Sequence, residues 1–183
     1  ASGTSLIRDI HAGSGNGSAS PDAMVCTDGE TLVYAATDGV SGNEPWQTNS
    51  AGSSRIWDIN PGSGSSDPAA FLSFWNGKRM ATLFSATDGY QGRELWAINS
   101  AKTAAYMVKD IYWGGSSNPA NFVVCGSEVF FSATSEGGNE LWKTDGTTNG
   151  TRRVADIRPG GSSSSPLELI CCNGKVYFSA VGD

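Results

Sequence analysis

The feature that most limits the folds open to this chain is a repeat that runs through it. An Asp-Ile pair closing an apolar run occurs at Asp9-Ile10, Asp58-Ile59, Asp110-Ile111 and Asp156-Ile157. A strand-like run ending in alanine recurs at Ala36, Ala86, Ala133 and Ala180. A Glu-x-Trp triplet recurs at Glu44, Glu94 and Glu140, with Trp46, Trp96 and Trp142 two residues on. A proline follows each Gly/Ser-rich loop, at Pro21, Pro68, Pro119 and Pro166. Four features in one order at one period, roughly 47 residues, mean that one supersecondary unit is reused and packs against its own copies.

Each unit reads as four short strands. In the third they span about 121–125, 128–133, 140–144 and 152–157, filled by aromatic and β-branched residues. Turn pairs such as Asn76-Gly77, Asp145-Gly146 and Asn173-Gly174 separate them. With 24 glycines and only 16% charged residues, the composition suits short strands and frequent turns rather than helices. The expected fold is all-β: a β-propeller-like array of about four four-stranded antiparallel blades. Residues 1–10 read as an N-terminal strand that completes the ring or a preceding blade. Residues 11–58, 59–110 and 111–157 are repeats 1 to 3, and 158–183 is a partial fourth lacking one strand.

The run Glu140-Leu141-Trp142-Lys143-Thr144-Asp145-Gly146-Thr147, with Gly150-Thr151, Val154–Ile157 and Pro159-Gly160 beyond it, resembles the ELWxTDGT repeat family. The resemblance extends over nearly the whole chain and is closest in the third unit. The first two units carry Asn49-Ser50-Ala51 and Asn99-Ser100-Ala101 where the family has Asp-Gly-Thr. It implies tandem, propeller-like repeats of large secreted or surface-associated proteins. It implies no particular activity.

By alignment, the segment 3–10 matches 150–157, and the chain stops where the next Glu-Leu-Trp strand would begin. Two expectations follow. Either the sequence is a window from a longer array, or a strand from another chain fills the fourth blade, since unpaired strand edges accept added strands.

Cys26 and Cys171 lie five residues after their prolines, Cys125 and Cys172 six. Neighbouring strand residues point to opposite faces, so Cys171 and Cys172 reach the blades on either side. Pairing like with like gives Cys26–Cys171 and Cys125–Cys172. Four cysteines admit three pairings, and buried free thiols are the other reading. Disulfides imply an oxidising, extracellular or cell-surface location. Asn16 and Asn149 head Asn-Gly-Ser and Asn-Gly-Thr sequons, and the Ser-rich loops have a composition that can carry O-glycans.

Little in the sequence points to catalysis. A single histidine, His11, expected to be exposed, removes most Ser-His and His-metal arrangements. The net charge of −6 argues against an electrostatic grip on nucleic acid. No apolar run is long enough for membrane insertion. The repeated acids Asp9, Asp58, Asp110 and Asp156 are expected to tie down the Gly/Ser loops, and Glu44, Glu94 and Glu140 share strand parity with the repeated tryptophans. Asp38 with Glu44, or Asp88 with Glu94, is the one pattern suggesting Ca2+; no other cofactor is expected. The repeated tryptophans are expected to pack between blades, while Trp57, Trp75 and Trp113 do not recur. Trp75 and Trp113 are therefore the possible glycan contacts. The expected role is a secreted structural or adhesive module and a candidate self-assembling filament subunit, not an enzyme. The alternative is a lectin-like glycan-binding propeller.

Overall fold

The longest strands form where the sequence runs Thr-Leu-Phe-Ser-Ala or Val-Phe-Phe-Ser-Ala, runs with adjacent apolar residues that suit a strand covered on both faces. The structure, a computed structural model, describes residues 6–13, 15, 17 and 24–182. It is all-β, with no helix among those residues. The first sheet holds β1 (Met24–Thr27), β2 (Thr31–Thr37), β3 (Asn43–Asn49) and β4 (Gly52–Arg55). The second holds β5 (Ala69–Trp75), β6 (Met80–Thr87), β7 (Arg93–Ile98) and β8 (Ala105–Lys109). The third holds β9 (Ala120–Cys125), β10 (Glu128–Ser135), β11 (Gly138–Thr144) and β12 (Arg152–Arg153). The fourth has only β13 (Leu167–Cys172) and β14 (Lys175–Ser179). Every sheet is an antiparallel meander with its strands in chain order.

The fourth strand of the third unit is shorter than the sequence suggests. Val154 still donates to the Leu141 carbonyl (2.8 Å), but the Ile157 N–H turns away to the Glu140 carboxylate (3.0 Å). The edge leaves the sheet to bond a side chain. The first strands carry a bulge instead. The register of β5 on β6, β9 on β10 and β13 on β14 slips near Ala70, Asn121 and Glu168. Those three residues have φ of 56°, 57° and 56°. An extra left-handed residue is what a bulge of this kind needs, and it raises the local twist.

The second sheet shows how the units stack. Phe84, Ala86, Trp96, Ile98 and Ala105 pack with Val33, Ile56 and Ile59 of the first sheet and its exit loop. The opposite parity, Phe74, Ala81, Leu83, Leu95, Ala97 and Val108, packs with Val129, Phe131, Ala133 and Trp142 of the third. Both faces of this sheet are therefore buried, as the repeat requires. Trp96 and Trp142 fill these joints, the packing role expected of them. The first strands of successive sheets also touch in a row, β1 on β5, β5 on β9 and β9 on β13.

Leu6–Asp9 carry no strand assignment. They lie across the outward face of the first sheet, where Arg8 donates to the Ser53 carbonyl (3.0 Å). Asn16 and Pro21 lie outside the described residues. His11 is half-buried, not exposed, with its ring against Gly15 and Gly39.

Candidate functional site

The most elaborate polar arrangement is built three times, around Glu44, Glu94 and Glu140, each fully buried. The third strand of a sheet places the glutamate on the same face as its tryptophan. The Gly/Ser loop leaving that sheet then folds back over it. Glu44 accepts from the Ile59 N–H (2.9 Å), the Ser66 N–H (3.0 Å) and the Ser66 hydroxyl (2.7 Å). Glu94 accepts likewise from Ile111 (2.8 Å), the Ser117 N–H (2.8 Å) and the Ser117 hydroxyl. Glu140 does so from Ile157 (3.0 Å) and from the N–H (3.0 Å) and hydroxyl (2.7 Å) of Ser164. A buried carboxylate is tolerated only when its lone pairs meet donors, and here the loop supplies them.

The same serines reach onward to the next sheet. Thr87 donates its N–H to the Ser66 carbonyl (3.0 Å), Thr134 to Ser117 (2.7 Å) and Val181 to Ser164 (2.7 Å). Each glutamate thus fastens a loop that fastens the following sheet. The loop before the first sheet makes the same onward bond, from Thr37 to the Gly17 carbonyl (3.0 Å).

These clasps correct the role assigned to the repeated aspartates. Asp58 and Asp156 face Arg55 (3.6 Å) and Arg153 (3.3 Å), and Asp110 accepts weakly from Gln91 (3.4 Å). Asp9 is exposed. The longer glutamate, starting one strand further in, reaches the loop donors where the aspartate does not. Two repeated signals mark the clasp and were missed. One is the Ser-x-Pro at Ser66, Ser117 and Ser164. The other is the glycine two before each glutamate. At Gly42 (φ 66°) and Gly92 (φ 78°) an added Cβ would fall 1.8 Å from the Gly64 carbonyl oxygen and 2.0 Å from that of Gly115. The loop can close over its glutamate only past a residue with no side chain.

Burial pushes the Glu44 and Glu94 carboxyls above the ordinary value of 4.5, with the serine and backbone donors opposing it. A raised folded value means the folded chain holds more protons than the unfolded one between 4.5 and that value. Stability is therefore expected to fall as pH rises through that window and to level off above it. A series of thermal midpoints against pH checks this: Glu44→Gln and Glu94→Gln should each flatten the slope. A slope unchanged in both variants would assign it to other groups.

Asp38 and Asp88 close turns. Asp38 accepts from Val40 (3.0 Å) and Ser41 (2.8 Å), Asp88 from Tyr90 (2.9 Å) and Gln91 (2.8 Å). Their partners Glu44 and Glu94 are taken up by the clasps, so neither pair converges on one point. Among the described residues no three metal-ligating side chains cluster.

One disulfide forms, Cys125–Cys171, while Cys26 and Cys172 are free and exposed. Pairing like phase with like is thus overturned. Cys125 and Cys171 lie on facing sheets, and facing sheets meet through faces of opposite strand parity. Asn149 is exposed in its turn, but Ser66, Ser117 and Ser164 are buried in the clasps and closed to O-glycans. Trp57, Trp75 and Trp113 are all exposed, and none joins a core cluster. Trp113 (83% exposed) and Tyr90 (89%) flank a shallow cleft of about 190 Å³ lined by Gln91, Asp110 and Gly114. Trp75 lies away from it, at the end of β5.

Stacked four-stranded meanders fastened by buried glutamates define an all-β repeat array. The fold is similar to the extracellular domain of a putative one-component system from B. thetaiotaomicron, with a TM-score of 0.52 over 86% of this chain at 15% identity. The chain spans only 19% of the length of that structure's chain, and at this identity the likeness speaks to fold alone. No protein-family model and no curated protein matches the sequence. The disulfide is consistent with an oxidising, extracellular location. Among the described residues no helix is long and apolar enough to cross a membrane.

Proposed function

We propose that this chain is a secreted structural or adhesive repeat module whose sheets are blades of a propeller-like array of the ELWxTDGT kind, and that it assembles with further copies of itself. The observation that carries this reading is the fourth sheet. Among the described residues β14 pairs only with β13, and Tyr177 and Phe178 on it are exposed. An open edge beside apolar side chains accepts an added strand. Negative-stain microscopy of the natively purified protein tests it. Regular filaments are expected; discrete compact particles at high concentration would sink the assembly reading.

A second reading, glycan binding, is favoured by the Tyr90–Trp113 cleft. Two exposed aromatic rings beside an amide and a carboxylate suit the apolar face and hydroxyls of a sugar. Binding on a glycan array should fall roughly tenfold or more in Trp113→Ala, as for an aromatic anchor, and stay unchanged in Trp75→Ala. Equal binding by both variants would remove the cleft from consideration.

A further inference from the structure

The sheets meet by one rule. Each sheet has a forward face, turned to the next sheet, and a backward face, turned to the one before. In the second sheet Leu72, Phe74 and Leu83 face forward, and in the third Phe122, Val124 and Phe131 face back onto them. Cys125 follows Val124 and therefore faces forward. It meets Cys171, which faces back from β13. By strand register Cys125 stands where Phe74 does, and Cys171 where Val124 does. The same two positions meet as an apolar contact at one joint and as a disulfide at the next.

The rule assigns the two remaining cysteines. Cys172 follows Cys171 and faces forward from the fourth sheet, beside Ile170 (60% exposed) and Tyr177 (55%). Their counterparts in the second sheet, Leu72 and Leu83, are covered by the third. In the first sheet Val25 and Val33 face forward into the second. Cys26 and Met24 alternate with Val25 and face back, and both are exposed. Cys172 is thus the forward half of an inter-sheet disulfide and Cys26 the backward half. Among the described residues β1 and β13 do not pack on one another as the first strands of adjacent sheets do.

The backward face of the first sheet is partly covered by the segment 6–10. Leu6, Ile7 and Ile10 line a cleft of about 310 Å³ with Met24, Leu32 and Tyr34. Ile7 and Ile10 match Ile56 and Ile59, which pack from the exit of the first sheet onto the second. The Gly17–Thr37 bond repeats the onward bond of the other loops. The segment 6–10 thus stands where the last strand of a preceding sheet would pack, and among the described residues Met24 and Cys26, where its first strand would lie, are exposed.

Resting on the assembly reading above, we propose that the occupant is a second copy of this chain. The forward face of its fourth sheet packs on the backward face of the first, and Cys172 of one copy bonds Cys26 of the next. Two thiols lose two protons and two electrons to a small-molecule disulfide, which is reduced to two thiols. The joint continues the sheet-on-sheet packing already formed at Cys125–Cys171, with the same pair of positions bridged.

The test oxidises the full chain in a glutathione buffer, using a mixture of unlabelled and 15N-labelled protein. Both exposed thiols should disappear, and non-reducing gels should show dimers and longer multimers that a reductant dissolves. Linked peptides should join Cys26 to Cys172 across the two isotopes, with the Cys125–Cys171 peptide retained as the sign of a folded chain. Cys26→Ser and Cys172→Ser should each stay monomeric alone and give a dimer, nothing longer, when mixed. A Cys26–Cys172 peptide at monomer mass would overturn the proposal in favour of a ring closed within one chain. Two thiols still open to alkylation after oxidation, with Cys125–Cys171 intact, would overturn it outright. Filaments with free thiols would leave the assembly reading standing without this joint, and covalent dimers without filaments would leave the joint without that reading.

Discussion

Glu94→Ala is expected to destabilise the chain by about 4 kcal/mol, because it strands three buried donors at once. The Ile111 N–H, the Ser117 N–H and the Ser117 hydroxyl all lie within 2.8 Å of its oxygens. Each unpaired buried donor costs about 1–3 kcal/mol, and the serine can turn only partly toward the Arg93 carbonyl at 3.3 Å. The loss also undoes the Thr134–Ser117 bond that fastens the third sheet, so the thermal midpoint should drop by roughly 8–16 °C. Glu94→Gln keeps the shape and one acceptor and should cost about half as much. A midpoint within a degree or two of the parent in the alanine variant would mean that water replaces the carboxylate and that the clasp adds little.

Phe84→Ala should cost about 3–5 kcal/mol, the usual range for emptying a core aromatic site. Phe84 is fully buried at the joint of the first and second sheets and stacks on Phe71 with ring centroids 5.0 Å apart. Phe84→Leu, which retains most of the volume, should cost about 1.5 kcal/mol or less. Phe178 occupies the same repeat position but is 37% exposed, so Phe178→Ala should cost less than about 1 kcal/mol. Denaturant unfolding of the three variants measures the set. Equal losses at positions 84 and 178 would show that the fourth sheet is covered in solution.

Much of the fold was legible because the repeat fixes both the strand period and the turn sites. The four-strand unit, the packing of Trp96 and Trp142 and the short fourth sheet all follow from spacing and alternation. The candidate site was less legible. Asp58 and Glu44 both recur and both have strand parity with apolar neighbours. Nothing along the chain says which carboxylate the loop will reach. That depends on where the loop folds back, which the glycine two before each glutamate permits.

Sequence alone determined the repeat, the all-β class and the face on which each strand residue lies, since strand parity is a local property of the backbone. Tertiary structure decided how those faces meet. Two stacked sheets that run the same way present opposite faces to each other, so contact partners on adjacent sheets have opposite phase. That relation joins Cys125 to Cys171 rather than to Cys172. It also leaves Ile170 exposed where its counterpart Leu72 is packed, since burial belongs to the neighbouring sheet and not to the residue.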